Sequence, residues 1–191
     1  MPFTGFESKM DNPIEKIFMG RLRIESAAAC LFFNTGSITQ QLIHHIKYHN
    51  EPELAVELGN IIGQKLLLSK RFTEIDAIIP LPLFKTRERK RGYNQAERLA
   101  KGVAEVLQKP LWNDLIKRNR STATQTKKTR FERWENVEGI FTISSRREIK
   151  DLHLLVVDDV ITTGATLEAC AASLREQGAK ISISTLAYAM K

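Results

Sequence analysis

The chain has 191 residues, 29 Lys+Arg against 22 Asp+Glu, a formal net charge of +7 and an isoelectric point near 9.5. Hydrophobic residues make up 42%, enough for the core of one domain with an appendage, and 27% charged residues with ten Gly and six Pro exclude a disordered or fibrous chain. Cys30 and Cys170 lie far apart and outside any CxxC pair, which excludes a disulfide framework and a zinc cluster. No apolar stretch approaches the ~18 residues of a membrane span, and no basic-then-apolar leader opens the sequence, so a cytoplasmic protein without a membrane partner is expected.

Taken in order, Met1 to Arg23 mixes Pro, Gly and charge and reads as an irregular arm with one short helical turn and little chemistry. Ala27 to Phe33 reads as a strand. Ser37 caps a helix that buries Ile38, Leu42, Ile43 and Ile46, and Glu53 to Ser69 repeats the pattern. Ile75 to Leu83 is an apolar run stopped by Pro80 and Pro82, which suits a buried parallel strand. Asn94 to Leu107 is helical; a polar stretch, Lys117 to Asn136, reads as a functional loop before a strand at Gly139 to Ile143. His153 to Asp158 forms a strand, Thr166 to Gln177 a helix, and Lys180 to Ala189 an alternating strand. Strands alternating with helices give an α/β fold with a mainly parallel sheet.

The positive charge is unevenly spread. Lys85 to Arg91 and Lys117 to Arg133, both read as loops, hold twelve basic and two acidic residues, which leaves 17 basic and 20 acidic residues elsewhere. A slightly acidic body thus carries its excess charge on two segments. The first follows a strand terminus, where open α/β sheets bind ligands.

The most informative stretch is Leu154-Leu155-Val156-Val157-Asp158-Asp159-Val160-Ile161-Thr162-Thr163-Gly164-Ala165-Thr166. Four apolar residues make a buried strand, two carboxylates stand at its carboxyl end to accept hydrogen bonds from vicinal hydroxyls, and a Thr-Gly-Ala turn opens a helix. Backbone N–H groups converging at the positive end of a helix make a phosphate cradle. Carboxylates beside it repel a bare phosphate but suit a ribose 5-phosphate whose hydroxyls face them.

These thirteen residues resemble the phosphoribosyl pyrophosphate (PRPP) signature of type I phosphoribosyltransferases. Ile79-Pro80-Leu81-Pro82 with Arg87, Arg89, Arg91-Gly92-Tyr93-Asn94-Gln95 and Leu99-Ala100 resembles the ComF competence family within that superfamily, as do Ile46-Lys47-Tyr48 and the later Gln125, Arg133, Asn136, Gly139 and Phe141. The resemblance implies the type I phosphoribosyltransferase fold, with residues 1–36 as an N-terminal arm and hood-like segment and 37–191 as the phosphoribosyltransferase domain. It implies that Asp158 and Asp159 hold the ribose hydroxyls, that Thr162, Thr163, Gly164, Ala165 and Thr166 wrap the 5-phosphate, and that Mg²⁺ accompanies the pyrophosphate, with no protein-only metal site. Leu81, Pro82, Leu83, Arg87 and Arg91 would bind pyrophosphate, Arg87 and Arg91 as catalytic cations, and Ser121 to Arg133, with Gln125 and Arg133, would close over the substrate. The implied activity is transfer of phosphoribosyl to an acceptor that the residues do not identify. The alternative is a non-catalytic component of natural competence and DNA uptake, with single-stranded DNA or a competence helicase as partner; a homodimer is a further implied assembly. ComF proteins commonly begin with a cysteine-rich zinc-binding segment, and none is written in these residues.

Three features compete for attention. His45 and His49, with His44, are spaced like metal ligands but lack a glutamate and a third ligand, and read as partly exposed helix residues. Cys170 reads as a small core residue. Arg130-Phe131-Glu132-Arg133-Trp134 offers charge and stacking to single-stranded nucleic acid, and a loop closing over an anion explains the same residues. Tyr93, Phe131 and Trp134 are of a kind to stack on a base, yet at such spacings read as packing residues.

Overall fold

A computed structural model of the chain describes residues 1–119 and 139–189. Asn12 starts the first helix, α1 (Pro13–Phe18), by accepting from the Ile14 and Glu15 amides, while its side-chain amide donates to the carbonyls of Phe6 and Ala27. Through that buried asparagine the arm is fastened to strand β1 (Ser26–Phe33), and Phe6, Ile14 and Phe18 enter the core. The arm is therefore more ordered than its composition indicated.

Helices α2 (Ile38–Tyr48) and α3 (Pro52–Leu68) follow, then strand β2 (Ala77–Pro80). Ser37 caps α2 as expected, but Ile38 is exposed, and the buried face runs through Thr39, Ile43 and Ile46. The segment read as the first basic loop is instead helix α4 (Lys85–Arg91). Its Lys, Arg and Glu residues are good helix formers, and Gly92, at φ 85°, ends it by returning its amide to the Glu88 carbonyl. Helix α5 (Gln95–Leu107), capped by Asn94, leads to a short antiparallel pair, β3 (Ile116–Arg118) and β4 (Phe141–Ile143). The chain closes with β5 (His153–Ile161), α6 (Ala165–Glu176) and β6 (Lys180–Ala189).

The main sheet has the order β1-β6-β5-β2 and is parallel throughout. Right-handed crossovers between such strands set α3 and α5 on one face and α6 on the other. Because β5 and β6 lie in the middle, both of their faces are covered, and β6 is buried from Ile181 to Ala187 rather than alternating. Its polar side chains are satisfied inside: Ser182 Oγ lies 2.8 Å from His153 Nε2. β5 runs three residues past Asp158 because β6 extends alongside it, pairing Ile161 with Tyr188. The parallel sheet flanked by helices is the type I phosphoribosyltransferase fold expected from the sequence.

α3 and α5 touch backbone to backbone. A Cβ on Gly102 would lie 2.2 Å from the Val56 carbonyl oxygen, and one on Gly59 would lie 2.1 Å from that of Leu99. Rigid backbone cannot yield as a side-chain tip can, so Gly102→Ala must push the helices apart and strain their packing on β5 and β2. The expected result is a loss of about 2 kcal/mol, read in a denaturant titration with unchanged slope.

Candidate functional site

The site forms where β5 ends and α6 begins. Residues 162–164 turn the chain, and Gly164 sits at φ 74°, left-handed backbone that a side chain would strain. Space excludes a side chain there too: a Cβ would lie 2.7 Å from Ile17 Cγ2 and 3.1 Å from Phe18 Cε1. Asn12, Ser37 and Asn94 cap α1, α2 and α5 with their side chains, but α6 begins with no side-chain cap. Its first-turn amides, with Asp158 and the residues from Val160 to Leu167, surround a small pocket of about 60 Å³. All five predicted phosphate-wrapping residues, Thr162 to Thr166, line it.

Successive residues of a strand face opposite ways, so Asp158 and Asp159 do not stand side by side. Asp158 turns toward the α6 side, within reach of the charge on Arg118 and above the buried Cys170, which is a core residue as expected. Asp159 turns toward α2, where Lys47 Nζ holds its Oδ2 at 2.7 Å. The Asp159 side lines a larger cleft of about 440 Å³ with Phe33, Gln40, Ile43, His44 and Tyr48. The two cavities share Val160 and Thr162, so a ligand seated in the small pocket would cross Val160 into the cleft.

Burial first, and the charge on Asp159 second, push the Asp158 carboxyl up to about 8, against the opposing pulls of the Asp159 amide, Lys47 and Arg118. The Asp159 amide donates to Asp158 Oδ1 at 2.8 Å. Asp158 is thereby held toward its neutral form, and Lys47 matches the charge of Asp159. That removes most of the repulsion between an acid pair and a neighbouring phosphate.

The predicted pyrophosphate residues separate on inspection. Leu81 faces the core and its amide donates to the Val157 carbonyl at 2.8 Å, joining the loop to β5; Pro82 has no amide proton. Leu83 is half-buried. Arg87 is exposed on α4 and its charge is felt by Arg118, so it belongs to the Asp158 side. Arg91, one turn later, donates to Gln95 Oε1 at 2.8 Å and lies over the Tyr48 ring at 5.8 Å, at the cleft. Gln125 and Arg133 lie outside the described residues, as do Phe131, Trp134 and Asn136. Tyr93 is a packing residue: it is buried and its hydroxyl donates to the Ile46 carbonyl. His44 and His45 are exposed on α2 and His49 just past its end, and His45 Nδ1 meets Glu51 Oε1 at 2.9 Å.

Two residues with no assigned role in the sequence reading stand in the site. Lys47 was visible only as part of a motif, and Arg118 only as one charge among seven; nothing in either segment marks the acid that each approaches across the fold.

Comparison with known proteins agrees with this fold. The phosphoribosyl transferase domain family matches residues 93–191, more than half of the chain. The DNA utilization protein YhgH of Salmonella typhi is 33% identical over 141 residues, covering 72% of this chain and 61% of that protein. Competence protein F of Haemophilus influenzae is 33% identical over 72% of this chain and 62% of its own length. Competence protein ComFC of Bacillus subtilis is 38% identical over 108 residues, 56% of this chain and 42% of that one. The chain thus spans about three fifths of the length of the first two relatives. Among solved structures, the glutamine PRPP amidotransferase of B. subtilis, complexed with ADP and GMP, superposes with a TM-score of 0.51 at 19% identity over 75% of this chain and 30% of that one, a likeness of fold. With the acid pair, the uncapped helix and the glycine turn arranged on this sheet, the chain belongs to the phosphoribosyl transferase domain family, on its ComF branch.

Proposed function

We propose that this protein binds PRPP, or a nucleotide carrying ribose 5-phosphate, and transfers the phosphoribosyl group to an acceptor with release of pyrophosphate. The observation that carries the reading is the shared boundary of the two cavities: a pocket of helix amides and threonines meets a larger cleft at Val160 and Thr162, with one acid on each side. A phosphate in the first places a sugar over Val160, between Asp158 and Asp159. Transfer breaks the C1–O bond, and the electron pair leaves with pyrophosphate; the acceptor then bonds C1 and releases a proton. The charge that develops on C1 needs no protein nucleophile, so this chain acts by positioning and electrostatics. Arg87, on the Asp158 side, and Arg91, at the cleft, are the cations proposed to meet the departing anion.

Mg²⁺, when bound, would offset the charge of the leaving pyrophosphate. The donor set fits a cation that enters on its ligand, since no three His, Cys, Asp or Glu side chains converge among the described residues and Lys47 already holds Asp159. Calorimetric titration with PRPP in Mg²⁺ tests the reading: saturable binding at one site per chain is expected, and no heat at any concentration would sink it.

The relatives' names support a second reading, in which the same fold serves DNA uptake without turnover, through single-stranded DNA or a helicase partner. Salt-dependent single-stranded DNA binding that persists when PRPP saturates the site would favour it. A homodimer and a cytoplasmic location are consistent with either reading; no described helix is long and apolar enough to cross a membrane.

A further inference from the structure

The arm contributes more to the phosphate pocket than its sequence promised. Arg21, three residues past α1, donates from Nη1 to the Ile17 carbonyl and to the Thr163 carbonyl, each at 3.1 Å. Its Nη2 pairs with Glu168 Oε2 in the first turn of α6. Beneath the turn, Ile17 and Phe18 fill the space that a Gly164 side chain would need. One guanidinium therefore ties α1 to the middle of the phosphate loop and to the helix that follows, across more than 140 residues of sequence.

The bond to Thr163 has a directional consequence. In a trans peptide the C=O and N–H point in opposite directions, so a Thr163 carbonyl held by Arg21 sends the Gly164 N–H away from α1. Glycine at positive φ is where such a peptide reverses most easily, and a reversed peptide would offer an anion a carbonyl oxygen. Arg21 also matches the Glu168 carboxylate, which would otherwise set negative charge at the helix end that a phosphate approaches.

We propose that Arg21 is a positioning residue for phosphate binding: it fixes the orientation of the Thr163–Gly164 peptide and neutralises Glu168, so that the helix end is ready for an anion before one arrives. The inference rests on the phosphoribosyl reading above and adds to it a dependence on the N-terminal arm.

The probe is ribose 5-phosphate, titrated into the full chain by calorimetry and by amide NMR. In the parent protein the Gly164 amide should move downfield on saturation. Arg21→Met, which keeps the side-chain stem, should weaken binding about tenfold and abolish the Gly164 shift, while Arg21→Lys recovers part of the loss. Glu168→Gln leaves the Thr163 bond in place, so it should bind at least as tightly as the parent. Equal affinity in Arg21→Met and the parent would overturn the proposal. So would a loss in Glu168→Gln as large as that in Arg21→Met, because then the ion pair acts only by holding the fold. A parent protein that does not bind ribose 5-phosphate at all instead defeats the phosphoribosyl reading.

Discussion

Replacing both acids, Asp158→Asn with Asp159→Asn, is expected to weaken PRPP binding by about 100-fold, since a hydrogen bond contributes about 0.5 to 1.5 kcal/mol, or about 1.5 to 3 when one partner is charged, and a tenfold change is about 1.4 kcal/mol. The amide keeps one acceptor oxygen but exchanges the other for a donor, which cannot serve a sugar hydroxyl that must donate. Asp159 contributes the ion-paired half of this recognition, because Lys47 at 2.7 Å holds its carboxylate in place at the cleft. Losing it also frees Lys47, but that side chain is 20% exposed and reaches water, so the fold survives the change. Calorimetry with PRPP reads the effect, and single-stranded DNA titrated in parallel separates the two functions. A DNA site built on the basic segments keeps its affinity in the double variant, whereas a PRPP site does not. Unchanged PRPP affinity would remove the acid pair from the ligand site altogether.

The parts of this site that were legible in the sequence are those built from local physics. An apolar run and a Thr-Gly-Ala turn specify a buried strand and the start of the next helix, while the strand itself runs to Ile161, past the end at Asp158 that the acids suggested. Ser37 likewise announces its helix through a cap. What could not be read depends on contacts distant in sequence. The direction in which Lys47 leaves α2 is settled by the packing of Ile43 and Ile46, and its partner is more than a hundred residues away. Arg21 sat in a segment whose hydrophobic residues lack a period, because α1 is only six residues long and is held by Asn12 rather than by an amphipathic face. The run Lys85 to Arg91 has no apolar stripe and so looked like a loop; intrinsic propensity and a glycine cap make it a helix. β3 escaped notice because three residues with two adjacent charges show no alternation. The serines of β6 imitated an alternating strand, yet they are buried in a central one where His153 provides a partner.

The same acid pair should make ligand-free stability depend on pH in an unusual direction. Folding raises Asp158, so the folded chain retains a proton that the unfolded chain releases; stability is complete below about pH 4, falls as pH rises, and levels off once pH passes about 8. Asp158→Asn removes that proton exchange while preserving shape. Its melting temperature should match the parent's near pH 4 and exceed it progressively toward pH 9, by several degrees, since on the order of 2 kcal/mol moves a domain of this size by roughly 4 to 8 °C. PRPP in Mg²⁺ should reverse the ranking at pH 8, because ligand stabilises the parent and not the variant. The stability difference would then measure what the free protein sacrifices to hold two acids at one strand end, as expected where function sets the residue against the fold. A difference that is constant from pH 4 to 9 would place the proton elsewhere, and a variant less stable than the parent at pH 9 would show that Asp158 is ionised and paired in the empty site.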